Sequence, residues 1–132
     1  MQLIKVTEDN EIELRTENDN IINFYDIYLK DIDKCVGYIK YRGYHNNEKI
    51  GDVGYVIYPK YRGHNYAYKA LILLSQHLNE FGIEDFWITC DIDNIPSKKT
   101  IEKYAQIYPK ELGDNILRYE CPTMEKIKTH KK

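Results

Sequence analysis

Cysteine is the first scarcity in this chain: Cys35, Cys90 and Cys121 are odd in number, far apart, and contain no C-x-x-C pair. That excludes a disulfide framework and a cysteine zinc site, and the apolar-rich stretches around the three predict buried thiols rather than catalytic ones. The four histidines, His45, His64, His77 and His130, also lack ligand spacing, so no metal site is expected. No apolar run approaches the ~20 residues of a membrane span, and Met1 to Asp9 has neither the basic start nor the apolar core of a signal peptide. The expected compartment is the cytoplasm, with no membrane partner. Charge of one sign is missing too. Nineteen basic against 21 acidic residues, a net charge of -2, give no field that would draw the chain to nucleic acid. Any charged ligand must be bound locally. A G-x-x-x-x-G-K-[ST] loop and a G-x-G-x-x-G fingerprint are both absent, which argues against a nucleotide-binding domain.

What the chain does have is 42% hydrophobic content over 132 residues, enough for one domain, 1-132, with a real core and too little for two. Its organising stretch is Tyr55-Val56-Ile57-Tyr58-Pro59-Lys60-Tyr61-Arg62-Gly63-His64-Asn65-Tyr66-Ala67, an apolar run meeting a polar turn. Ala67, Ala70, Leu71, Leu74, Leu78 and Phe81 then repeat at three-and-four spacing, which predicts an amphipathic helix starting near Gly63 and capped by Gly82. The first turn of a helix leaves amides without intrahelical partners at the positive end of the dipole, a site for an anion such as a pyrophosphate. Gly63, Asn65 and Ala67 are the small or φ-tolerant residues such a close approach needs.

Elsewhere, Leu3 to Val6 reads as a strand and Ile12 to Leu14 as a second or an edge piece. Ile22 to Asp31 has β-branched and aromatic residues on both faces, as in a strand covered on both sides, and Cys35 to Arg42 makes the return strand of a hairpin. After a polar loop at Gly43 to Glu48, a strand from Ile50 to Tyr58 carries Gly51 and Gly54, a signal of a bulge or a close ligand. Asp85 to Asp91 is the most strand-like segment of the second half, and a right-handed crossover places it parallel to the strand ending at Tyr58. Asn94 caps a second helix that carries Pro96 in its first turn and runs to about Ala105. Ile107-Tyr108 and Ile116 to Cys121 are expected as closing strands around a turn at Pro109 to Asn115, and Lys126 to Lys132 as a solvated basic tail.

Three segments resemble one family. Arg62-Gly63-His64-Asn65-Tyr66-Ala67 resembles the [QR]-x-x-G-x-[GA] acetyl-CoA signature of the GNAT superfamily of N-acetyltransferases, with Asn65 in place of a glycine. Asn94 to Tyr104 resembles the family's N-x-x-S-x-x-x-x-E-K segment, and Gly51-Asp52-Val53-Gly54-Tyr55 its G-[EH]-I-G-Y strand. The likeness covers about Cys35 to Tyr119, and Thr89 to Asn94 with Arg118-Tyr119 look most like a bacterial subgroup of acetyltransferases whose acceptors are mostly unknown. The resemblance implies an α/β (α+β) fold: a mixed, mostly antiparallel sheet with a βαβ acetyl-CoA-binding core and splayed parallel central strands. It implies acetyl-CoA as acyl donor and a small-molecule or peptide amine as acceptor. The backbone of Val56 and Ile57 would pair with the pantetheine arm, and the amides from Gly63 through Tyr66 to Ala67 would hold the pyrophosphate. Arg62 and His64 would add charge or serve structure, Asn94 would bond a pantetheine amide or simply cap its helix, and Ser97 belongs to the same motif.

Transfer requires a neutral amine, so a base or a water chain must take a proton. Asp52 and Asp91 are the candidates, each with a solvated or turn-stabilising role as the alternative. The family's usual tyrosine acid falls at Ile101, which leaves Tyr104 or Tyr119 as substitutes among 13 tyrosines. A thiol pKa near 8.5 also allows the thiolate to leave without a positioned acid. Glu8 to Asn20 is short and acidic where the family places helices that shape the acceptor site. The acceptor side is therefore expected to be open or completed by another subunit, with a homodimer expected over a monomer. The competing reading is a non-catalytic module of the same fold that binds acyl-CoA or a protein partner.

Overall fold

Eight strands form one sheet in the computed structural model, which describes residues 3–17, 24–45 and 48–125. In chain order they are β1 (Ile4–Glu8), β2 (Ile12–Thr16), β3 (Phe24–Leu29), β4 (Lys34–His45), β5 (Glu48–Ile57), β6 (Asp85–Asp91), β7 (Lys110–Gly113) and β8 (Ile116–Pro122). Helix α1 (Tyr66–Glu80) connects β5 to β6, and α2 (Ile95–Ala105) follows β6. The spatial order is β1-β2-β3-β4-β5-β6-β8-β7, with β5 and β6 the one parallel pair. This is the expected mixed sheet built on a βαβ unit.

One face of the sheet carries the core, because its strands alternate with period two. Ile12 and Leu14, Tyr25 and Ile27, Ile39 and Tyr41, Val53 and Ile57, Phe86 and Ile88, and Leu117 and Tyr119 are all buried. Helix α1 lays Ala70, Leu71, Leu74 and Leu78 against them, and α2 contributes Ile101. The helix ends as its glycine predicts: Gly82 at φ +82 turns the chain, its amide reaching the Asn79 carbonyl at 2.9 Å and that of Ile83 the Leu78 carbonyl at 3.1 Å. Asn94 caps α2 by accepting from the Ser97 amide at 3.2 Å.

Several expectations are corrected. Helix α1 starts at Tyr66, not near Gly63, because Gly63 and Asn65 both take positive φ and a left-handed residue cannot continue a right-handed helix. Strand β3 is buried on one face only: Tyr25 and Ile27 point into the core, while Phe24 is exposed and Asp26 and Tyr28 half-buried. No described element covers that second face. Ile107-Tyr108 is not a strand, and Tyr108 is 98% exposed. Lys110–Gly113 pairs with β8 instead, through a tight turn at Asp114 and Asn115 with φ +50 and +62. Gly43 to His45 belong to β4, so the expected polar loop shrinks to Asn46 and Asn47, which lie outside the described residues, as do Ile22, Asn23 and the basic tail from Lys126. Gly51 sits at φ +79 where the β4–β5 register shifts, the bulge its position suggested.

Cys90 and Cys121 are buried, whereas Cys35 is half-buried. Burial pushes the Cys121 thiol up to about 12, and burial likewise raises the Tyr104 phenol to about 12. A folded-state pKa above the unfolded one contributes stability below the unfolded value and loses it as pH rises. Stability is therefore expected to fall between the ordinary values, about 9 for the thiol and 10 for the phenol, and about 12. Denaturant melts at pH 8 and pH 11 check the sign; equal midpoints would contradict it.

Candidate active site

Strands β5 and β6 meet at one register pair, Asp52 with Trp87, and then diverge. The Trp87 indole pins the closed end by donating to the Ile50 carbonyl at 2.6 Å. Arg118 of β8 lies over the same ring at 4.3 Å. Beyond this clamp a cleft of about 330 Å³ opens, lined by Gly54 and Tyr55 of β5, Ile88 to Asp91 of β6, Asn94, Ser97 and Ile116. Tyr55 and Gly54 alternate across the strand, and both line the cleft.

At the far end of β5 the chain makes a 3-10 turn, Pro59–Tyr61, and enters α1. The first helical bond runs from the Lys69 amide to the Asn65 carbonyl at 3.0 Å, so the amides of Tyr66, Ala67 and Tyr68 precede the helical ladder. No acidic side chain occupies that first turn. Gly63 at φ +89 has nothing within 4 Å of where a Cβ would stand, and Asn65 at φ +65 completes an open backbone curve. His64 stacks on Tyr66 with ring centroids 5.3 Å apart. Arg62, though exposed, folds back on the turn, its Nε donating to the Ile57 carbonyl at 2.8 Å. It braces the turn and occupies a carbonyl assigned from sequence to the pantetheine arm. Val56 and Ile57 do not line the cleft.

The acid and base candidates separate. Asp91 lines the cleft, whereas Asp52 is clasped by Arg42 across β4 and β5 at 2.8 and 3.0 Å. Neither tyrosine lines the cleft. The Tyr104 hydroxyl donates to the Pro122 carbonyl at 2.7 Å and bonds Ser75, whose Oγ accepts from the Met124 amide. It stitches α2 to α1 and the end of β8. Tyr119, fully buried, donates to Glu102 at 2.7 Å, and burial first and that carboxylate second push its phenol far up. Ile101 is fully buried.

Sequence reasoning missed Tyr55. Its hydroxyl lies 3.0 Å from Ser97 Oγ on the cleft wall, and burial raises its phenol while hydrogen bonds to Ser97 and Thr100 pull the other way. Burial also raises the Cys90 thiol, again against a bond to Ser97. The Gly-Asp-Val-Gly-Tyr strand motif contained Tyr55, but a partner 42 residues away has no local signal.

A βαβ unit whose parallel strands splay around a cleft, with a helix N-terminus at its end, defines a GNAT-type acetyltransferase architecture. The sequence matches the acetyltransferase (GNAT) domain family over residues 5–105, and the chain belongs to that family. Among solved structures it is similar to RimL, a ribosomal L7/L12 alpha-N-protein acetyltransferase, with TM-score 0.72 and 14% identity over 92% of this chain and 96% of that one. A GNAT-family acetyltransferase from Bacillus anthracis superposes with TM-score 0.60 and 22% identity over 76% of this chain, and the GNAT domain of S. lividans PAT with 0.65 and 16% over 81%. The chain spans 66% and 64% of those two, less than two thirds of each. No curated protein matches the sequence. Among the described residues no helix is long and apolar enough to cross a membrane.

Proposed function

We infer that the chain is an acetyl-CoA-dependent N-acetyltransferase in which a primary amine attacks the thioester directly, in a ternary complex. The observation that carries this reading is the cleft between β5 and β6 ending at the open first turn of α1. The pantetheine arm would thread the cleft beside Asn94 and Ser97. The pyrophosphate would sit against the amides of Tyr66, Ala67 and Tyr68, where the dipole and unpaired donors favour an anion. Asp91 is the carboxylate best placed to accept the amine's proton, directly or through water. The Tyr55–Ser97 hydroxyl pair takes the place of the acid missing at Ile101. In this reading residues 1–132 act as one domain in the cytoplasm, and a second copy completes the open acceptor side.

Calorimetric titration with acetyl-CoA, with CoA and ATP as comparisons, tests the donor; thiol release with a panel of amines tests transfer. Micromolar binding of acetyl-CoA is expected, and its absence would overturn the reading. Tyr55→Phe and Ser97→Ala are each expected to lower kcat by about 100-fold, the low end of the usual scale of roughly 10²- to 10⁴-fold for a positioned proton donor, with a smaller change in KM for acetyl-CoA. An unchanged kcat in both would remove the pair from the mechanism. The second reading, an acyl-CoA-binding module without transfer, is favoured by the engagement of Tyr104 and Tyr119 in structural bonds. It predicts tight acetyl-CoA binding with no thiol release.

A further inference from the structure

The sheet face without a described helix holds a cluster that acetyl transfer does not use. Asp26 of β3 is the direct partner of Tyr38 of β4, so both side chains leave the sheet on the same side. The Phe24 ring stacks on Tyr38, with centroids 5.0 Å apart and planes 23° from parallel. Tyr58, tied by its amide to the Val36 carbonyl at 2.9 Å, closes the group. Burial raises its phenol first, and Cys35, Asp26 and Tyr38 beside it raise it further. Phe24 is 43% and Tyr58 39% exposed, so the aromatic surface is open to solvent.

The cluster has a carboxylate and lacks a cation. Asp26 has no hydrogen bond or ion pair among the described residues, and burial raises its carboxyl, with Glu17 adding like charge. The arginines of this face are committed elsewhere. Arg15, opposite Asp26 on β2, bonds Glu13 and Asp33 and lies 3.8 Å over the Tyr28 ring. Arg42 holds Asp52, and the Lys40 stem runs over Gly54. A half-buried carboxylate beside exposed aromatic faces attracts a weakly hydrated organic cation through both charge and ring quadrupoles.

We propose that Phe24, Asp26, Tyr38 and Tyr58 form a binding site for an alkylammonium group of the acceptor. Tyr38 pairs with Val56 of β5, and Gly54, two residues earlier on that strand, lines the cleft. With adjacent strands ~4.8 Å apart, Asp26 stands roughly 10 Å from the cleft strand. The acceptor class is therefore one that carries a second positive charge at least that far from the amine that reacts: a free long-chain diamine, or a peptide bearing lysine side chains. The word acceptor rests on the transfer reading above; binding of the cation does not.

Calorimetry on the full chain without acetyl-CoA tests the site, using 1,8-diaminooctane, its uncharged analogue 1,8-octanediol, and a capped Ala-Lys-Ala-Lys peptide. Asp26→Asn and the surface variant Tyr58→Ala are compared, with thermal melts to verify folding. Binding of the diamine or the peptide is expected, at least tenfold weaker in either variant and for the diol, with acetyl-CoA affinity unchanged; the tighter of the two cations identifies the source. Binding of neither cation, equal binding of the diol, or full affinity in a folded variant would overturn the site. Cation binding without any acetyl-CoA binding would instead overturn the donor reading and leave the ammonium site standing.

Discussion

Ala67→Glu is expected to weaken acetyl-CoA binding by at least about a hundredfold, roughly 3 kcal/mol. The added carboxylate would sit in the first turn of α1, where Tyr66, Ala67 and Tyr68 offer their amides and no acidic residue is part of the turn. It would take those donors for itself, neutralise the dipole and repel the pyrophosphate. Ala67 also packs against the core, so part of any loss could come from disturbed packing. His64→Glu separates the two causes. His64 is exposed, and a carboxylate there carries the same charge into the curve without touching the core. A loss of about tenfold is expected for it with an unchanged melting temperature. If both variants bound acetyl-CoA like the native chain in calorimetry, the anion would not lie at this helix terminus.

Gly37→Ala is expected to cost about 3 kcal/mol of stability, the upper range for forcing atoms into a packed site. A Cβ on Gly37 would stand 2.1 Å from the Val56 carbonyl oxygen and 3.0 Å from the Ile57 Cα. Both contacts are backbone, so no side-chain rotation relieves them. Strands β4 and β5 would have to part at the pair Gly37–Ile57, beside a bulge in β4 that already shifts the register against β3. A drop in melting temperature of roughly 10 °C is the corresponding readout for a domain of this size. Because β5 is one wall of the cleft, acetyl-CoA affinity should fall with it. An unchanged melting temperature would mean that the strands are not this close.

What could be read from the chain alone was whatever its local chemistry dictates. The α1 face, the Gly82 and Asn94 caps, the curve at Gly63 and Asn65 and the Gly51 bulge depend on residues within a few positions of each other, so spacing and φ preference carry them. The family resemblance was legible for the same reason, since its motifs are short backbone devices. Apart from the start of α1, which the local φ of Gly63 and Asn65 sets, the main errors arose where distant segments compete. Strand β3 looks equally apolar on both faces, and only the packing of α1 decides that Tyr25 and Ile27 go in while Phe24 and Asp26 stay out. Tyr104 and Tyr119 read as free phenols until Ser75, Pro122 and Glu102, each 17 or more residues away, take up their hydroxyls. Tyr55 meets Ser97 only because β5 and β6 separate beyond one shared pair. The sequence by itself determined the order of the main strands and helices, the α1 C-terminus and the cap of α2, because helix capping and turn geometry are settled within one turn of chain. The tertiary structure alone decided the covered face, the cleft and the hydroxyls that line it, because burial and hydrogen-bond partnership depend on which remote atoms arrive first.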